Sequence, residues 1–164
     1  MDIRILTTGG TIGGLEYENM DNRSEEKSVN ISSFLKSVNP SFQYKIEDVL
    51  NKDSRFIDEQ DRKLIAEKIL ASTENKILIT HGTFTMPETA KYLGKRNLNK
   101  TIVLVGSFIL GSEMNTDAPF NLGFAIAALQ FLNPGVYVAM NGKVFNWNNV
   151  TKNIANNRFE ETNE

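Results

Sequence analysis

The sequence is predicted to fold as an α/β protein with a parallel sheet covered on both faces, in a single domain, and three observations predict it. Short apolar runs bounded by Gly, Asn and Thr alternate with segments of helical period, as successive βαβ units do. Three of the runs, Lys76 to Thr80, Ile102 to Val105 and Val136 to Met140, are nearly unbroken Ile, Leu and Val, as strands buried on both faces require. With 40% apolar and 23% charged residues in 164 positions, the composition is that of a globular chain, and the length suits one core with no room for a second. One domain over residues 1–164 is therefore expected.

Taken in order, Ile3 to Thr8 reads as the first strand and Phe42 to Val49 as the second, with the three apolar runs as strands three to five. Ile57 to Leu70 places Leu64, Ile65 and Ile69 on one face with charges opposite, which predicts an amphipathic helix. Thr85 to Glu88 has the spacing of a capping box, with Pro87 in the first turn of a helix running to about Lys95. Pro119 opens a helix from Phe120 to Leu132 that is apolar nearly all round, so it is either sandwiched within the monomer or part of a subunit interface. Asn141-Gly142 supplies a tight hairpin turn. Gly13 to Val29 is polar, contains Tyr17 and the charge run Glu25-Glu26-Lys27, and is expected to be a mobile surface loop with the run on a solvated face. The Asn-rich tail after Asn146, residues 147–164, has little to bury and is expected to be mobile unless a neighbour orders it.

Composition also excludes chemistry. A net charge of -2 leaves no basic excess for a phosphate backbone, so no nucleic-acid partner is expected. With no cysteine and a single histidine, thiolate catalysis, disulfides, iron–sulfur clusters and a self-sufficient zinc site are ruled out; neither a metal nor a cofactor is expected. No apolar stretch has membrane-spanning length, and Ile3 to Leu6 lacks the length and flanks of a signal peptide. The expected location is the cytoplasm. Catalysis, if present, must use oxygen or amine nucleophiles.

In an open parallel sheet, ligands bind beyond the carboxyl ends of the strands. Here those turns carry hydroxyls: Thr8-Gly9-Gly10-Thr11 after strand one, Asp53-Ser54 after strand two and His81-Gly82-Thr83 after strand three. The glycines, Gly10 among them, permit positive φ and close substrate approach, and backbone N–H groups in such turns can stabilise an oxyanion. A threonine hydroxyl needs an adjacent base. A buried lysine serves, because desolvation disfavours its charge, and Lys152, just past the hairpin, is the candidate. Taken singly, each of these residues has a plainer use, a threonine as turn or cap and a lysine as surface charge.

Four segments in order, Thr8-Gly9-Gly10-Thr11-Ile12, His81-Gly82-Thr83-Phe84-Thr85-Met86, Asp117-Ala118-Pro119-Phe120-Asn121 and Val150-Thr151-Lys152, resemble the motifs of the bacterial-type L-asparaginase and glutaminase family along essentially the whole chain. The chain is similar to short members comprising the N-terminal domain alone. The resemblance implies a flavodoxin-like doubly wound fold, Thr11 as the nucleophile on a side-chain amide, Tyr17 as the activating tyrosine of the loop, and Ser54 as a contact to the substrate carboxylate. It also implies Thr83 and Lys152 as a second catalytic pair acting on water, with His81 structural in its turn and Asp117 a helix N-cap.

The sequence departs from the family in three places. An aspartate that binds the substrate's α-amino group and pairs with the lysine is replaced by Phe84, which pairs no ammonium as a carboxylate would. The segment after strand four reads Val105-Gly106-Ser107-Phe108-Ile109-Leu110 and makes a greasier pocket, lined by Ser107 and Phe84. The C-terminal domain with which full-length relatives complete a partner's site has no counterpart in the sequence, so a small-molecule amide substrate and a homo-oligomer, dimer or higher, are the expected partners. Two function classes fit: an amidohydrolase whose substrate need not be free asparagine, favoured by Thr11, Thr83 and Lys152 together, and a catalytically impaired binding or regulatory module, favoured by Phe84.

Overall fold

Six strands form the main sheet of the computed structural model, which describes residues 1–10, 12 and 31–162. Thr11, Tyr17 and the run Glu25-Glu26-Lys27 lie outside the described residues. The elements are β1 (Asp2–Thr7), α1 (Ile31–Val38), β2 (Gln43–Asp48), a 3-10 turn (Ser54–Phe56), α2 (Glu59–Ala71), β3 (Lys76–Thr80) and α3 (Met86–Gly94). They continue with β4 (Thr101–Val105), α4 (Ala118–Phe131), β5 (Gly135–Met140), β6 (Lys143–Asn146), β7 (Thr151–Asn153) and β8 (Arg158–Glu160).

The sheet order is β2-β1-β3-β4-β5-β6, with β1 to β5 parallel. This is the flavodoxin-like order, and its chain reversal opens a crevice at the carboxyl ends of β1 and β3. The five expected strands are parallel, and β6, beyond the expected Asn141-Gly142 hairpin, joins the sheet antiparallel to β5. A two-residue turn, Asn141 at φ 54 and Gly142 at φ 75, reverses the chain and cannot make a crossover. Ile77, Leu78 and Ile79 of β3 and Ile102 to Val105 of β4 are fully buried, as their unbroken apolar runs required.

The helices differ from expectation in instructive ways. α1 was not anticipated, yet its Ile31 and Leu35 are buried in the core. α2 begins at Glu59 instead of Ile57, because Asp58 and Asp61 form a reciprocal capping box, each carboxylate accepting the other's backbone N–H at 3.0 Å. The capping box expected at Thr85 is absent: the Thr85 hydroxyl makes no cap bond and donates to the Ser54 carbonyl at 2.5 Å. Asp117 likewise caps no backbone N–H of α4; its carboxylate accepts from Phe108 N, Ile109 N and Asn121 Nδ2. In both, a tertiary donor or acceptor outcompetes the local one. α4 packs on β3, β4 and β5 but is not sandwiched, since Phe120 and Phe131 are exposed.

The tail is corrected too. β7 and β8 form a small antiparallel sheet of their own, and Val150 and Phe159 are buried against the main core. Phe159 packs on Phe108 with centroids 5.8 Å apart, so the tail has more to bury than its asparagines suggest.

At the opposite end of the sheet, Glu74 precedes β3 with its side chain only 6% exposed, accepting from Arg4 of β1 and Lys45 of β2 at 3.1 and 3.2 Å. Burial alone would raise its pKa, but its backbone hydrogen bond and the Lys45 and Arg4 cations together hold it at about 2. A carboxyl depressed on folding contributes stability that is present above its ordinary value and is lost as pH falls through the folded value. Glu74→Gln is expected to lose about 1–3 kcal/mol at pH 7, a deficit that shrinks towards zero between about pH 5 and pH 2. Urea melts of both proteins across that range check it; a deficit independent of pH would remove the charge from the explanation.

Candidate active site

Three turns meet at the crevice because two of them present glycine. Thr8 ties the end of β1 to β3, its N–H and hydroxyl both donating to the Thr80 carbonyl at 3.1 and 2.9 Å. Gly9 and Gly10 follow at φ 90 and 84, a region open to glycine and strained for other residues. A Cβ on Gly10 would stand 2.6 Å from both Cα and N of Gly82, and one on Gly82 would stand 2.5 Å from Ser54 Oγ. The turns after β1, β2 and β3 are therefore in direct contact.

Ser54 locks the second turn to the third. Asp53 caps the 3-10 turn, accepting the Arg55 N–H at 2.9 Å. Ser54 Oγ accepts the Phe84 N–H at 3.2 Å, and the Ser54 carbonyl accepts the Thr85 hydroxyl. Lys52, bonded to Asp61 at 2.7 and 2.9 Å, anchors the same turn to the start of α2.

From the other side β7 delivers Lys152, whose Nζ donates to Thr83 Oγ1 at 2.8 Å. Thr83 is buried, whereas Phe84 is 39% exposed and presents its ring to Lys152 Nζ at 3.9 Å. The Phe108 ring lies 5.3 Å from the same nitrogen, and the Arg55 guanidinium stands 5.8 Å from Phe84. Burial lowers the Lys152 pKa below the ordinary lysine value, and among the described residues no carboxylate opposes that shift. The two rings offset it only in part, because a ring quadrupole stabilises an ammonium less than a carboxylate does.

Beyond β4, the Gly106 N–H meets Met140 Sδ and its carbonyl accepts from Asn121 Nδ2 at 3.1 Å. Ser107 follows, almost fully buried, with its hydroxyl lacking a hydrogen-bond partner among the described residues. A buried hydroxyl left unpaired is costly, so it marks a place where a ligand or water would be welcome.

The structure thus brings together Gly10, Ser54, Thr83, Phe84 and Lys152 and sets Ser107 at the neighbouring strand end. Thr11 and Tyr17 lie outside the described residues. Sequence reasoning missed Thr85 as the bond between turns, Arg55 as a second cation near Phe84, and Phe108 as a wall against Lys152. For Phe108 the signal was present, as the apolar residue where the family segment after strand four differs. Among the described residues no group of three His, Cys, Asp or Glu side chains is placed to hold a metal, and no helix is long and apolar enough to cross a membrane.

Residues 2–163 match the family described as asparaginase, N-terminal. The chain is 35% identical over 162 residues to L-asparaginase 2 of Escherichia coli (strain K12), covering 92% of this chain and 46% of that protein. It superposes on the thermostable L-asparaginase from Thermococcus kodakarensis with a TM-score of 0.85 at 30% identity, covering 100% of this chain and 52% of that one. The probable cytoplasmic L-asparaginase from Campylobacter jejuni gives a TM-score of 0.78 at 30% identity, covering 98% and 51%. The chain spans about half the length of the relatives it matches. In strand order, in the glycine turns and over nearly its whole sequence, it belongs to the asparaginase family and corresponds to that family's N-terminal domain.

Proposed function

We propose that the chain hydrolyses a small carboxamide through a threonine ester, on a substrate that lacks the free α-ammonium of asparagine. The observation that carries the reading is the Lys152–Thr83 hydrogen bond at 2.8 Å, set against a turn contacting both Ser54 and Gly10 in a family whose relatives are named L-asparaginases. In the proposed reaction the Thr11 hydroxyl attacks the amide carbon with help from Tyr17, the C–N bond breaks, and the nitrogen leaves as ammonia carrying the hydroxyl proton. Backbone N–H groups of the glycine turns stabilise the oxyanion. Water then cleaves the ester: its proton passes through Thr83 to the free-amine form of Lys152, which burial favours, and is returned to the departing Thr11 oxygen, so that a carboxylic acid is released and both side chains are restored. Ser54 and Ser107 hold the substrate's polar groups.

Substrate selection follows from charge. Where the family has an aspartate, Phe84 offers a ring already occupied by Lys152 Nζ at 3.9 Å. A substrate ammonium arriving there finds an aromatic face in place of the carboxylate that would pair it, whereas a carboxylate or neutral group forfeits no such partner.

The reading is tested by ammonia release from asparagine, succinamic acid and N-acylated asparagine. Wild type is expected to turn over the amides without an α-ammonium and to leave asparagine nearly untouched; Thr11→Ala falls to background on all of them. Phe84→Asp is expected to bind asparagine about tenfold more tightly or better, the worth of one charged hydrogen bond. Efficient wild-type hydrolysis of asparagine overturns the specificity, and no turnover of any amide by either Phe84 form favours a binding module that has lost the chemistry.

We further propose that the chain self-associates through α4. Phe120, Phe124, Ala127 and Phe131 recur at helical spacing on one side of the helix, with Phe120 and Phe131 exposed and Phe124 half-buried. Light scattering across a size-exclusion peak at micromolar concentration is expected to give a dimer or larger species, reduced by Phe131→Glu. A monomer throughout contradicts it.

A further inference from the structure

Behind the Thr83 turn runs a chain of polar groups that the hydrolytic reading leaves unused. His81, the sole histidine, is fully buried. Its Nδ1 lies 2.7 Å from the Gly82 carbonyl and its Nε2 3.0 Å from Thr89 Oγ1, and Arg62 Nε donates to that same oxygen at 3.2 Å. The chain thus starts on α2, crosses α3 and ends in the turn after β3.

Every proton along it is assigned by elementary rules. A carbonyl only accepts, so Nδ1 carries hydrogen. Burial pushes the ring pKa down to about 4, the bond to Gly82 resists, and the Arg62 charge adds to the lowering. The ring is consequently neutral near pH 7, and Nε2 has only a lone pair. The Thr89 hydroxyl must donate to it, which leaves the Thr89 oxygen free to accept from Arg62. Donation runs one way, from Arg62 through Thr89 to Nε2, and from Nδ1 to Gly82.

The terminus of this chain is what matters for the site. A planar trans peptide points its C=O and N–H in opposite directions, and no cis bond occurs among the described residues. Holding the Gly82 carbonyl against the buried ring therefore turns the Thr83 N–H away from it. The same peptide sets where Gly82 abuts Gly10 and where Thr83 Oγ1 meets Lys152. We propose that Arg62, Thr89 and His81 are positioning residues that hold the Gly82–Thr83 peptide in its working orientation, Arg62 acting through the other two. The kinetic part of this proposal rests on the amide-hydrolase reading; the tautomer and the peptide orientation do not.

Full-length protein labelled with 15N-histidine contains one ring, so a long-range 1H–15N spectrum at pH 7.5 reads its tautomer directly. The expected result is a protonated Nδ1 and a bare Nε2. Thr89→Val keeps the shape and removes the donor; it is expected to shift Nε2 and the Thr83 amide and to lower kcat on succinamic acid about tenfold or more with KM little changed. Thr89→Ser restores all three. Should Thr89→Val fail to fold, Arg62→Gln, at the half-buried end of the chain, is expected to move the same signals in the same direction. A ring protonated on Nε2 overturns the proposal, as does a folded variant that leaves the Thr83 amide and kcat unmoved. If the wild type turns over no amide, the hydrolytic reading fails while the ring and amide signals still decide this one.

Discussion

The contact between Gly10 and Gly82 is the constraint on which the rest of the site depends. Parallel strands place their turns near one another, but only two residues without side chains let those turns touch along the backbone, with a would-be Cβ 2.6 Å from the opposing Cα. Glycine gives up more chain entropy on folding than other residues, and here that cost secures a crevice floor of bare peptide. Ser54 completes the junction, and its two bonds to the third turn take over a hydroxyl, that of Thr85, which a helix would otherwise use as a cap worth about 1 kcal/mol. α3 starts at Met86, with Pro87 in its first turn, without it.

On that floor the titratable side chain nearest Thr83 is Lys152. It reaches Thr83 only because the chain turns back at Asn141-Gly142, runs along β6 and pairs β7 with β8. Phe159, buried on the same small sheet, packs against Phe108, so the packing that holds the tail also builds the wall beside the amine. The tail is thereby part of the site. Exchanging a carboxylate for aromatic faces leaves an ammonium with about 0.5–2 kcal/mol of attraction, which favours the free amine of Lys152 and leaves a substrate's ammonium no anion to pair with. In the proposed reaction, base strength and substrate selection are then two consequences of one replacement at Phe84.

How much of this the sequence disclosed depends on how local each signal is. The buried strands were legible because double-sided burial demands unbroken Ile, Leu and Val, and the hydroxyl turns were legible because the strand ends were. α1 could have been found from Ile31, Phe34, Leu35 and Val38, which recur at helical spacing, but the stretch between the loop ending at Val29 and the strand opening at Phe42 is too short for its period to stand out. Thr85 and Asp117 stand at the expected N-cap positions, but their side chains do not cap, for a physical reason. A cap is judged from neighbours in sequence, whereas the partners these side chains take, the Ser54 carbonyl and the Phe108 and Ile109 amides, are 31, 9 and 8 residues away. Val150 and Phe159 were hidden by the asparagines around them, since two apolar residues in a polar tail give no period. The His81 chain was beyond sequence reading, because its direction follows from which atoms face which.

The charge state of Lys152 decides the proposed chemistry, and the measurement that reaches it most directly is an NMR titration of its ε-amine in wild type and in Phe84→Asp. Burial without a carboxylate partner among the described residues requires the wild-type amine to titrate below the ordinary lysine value, and the introduced aspartate to raise it. A wild-type Lys152 that titrates like a surface lysine, or one unmoved by Phe84→Asp, would contradict the account at its centre.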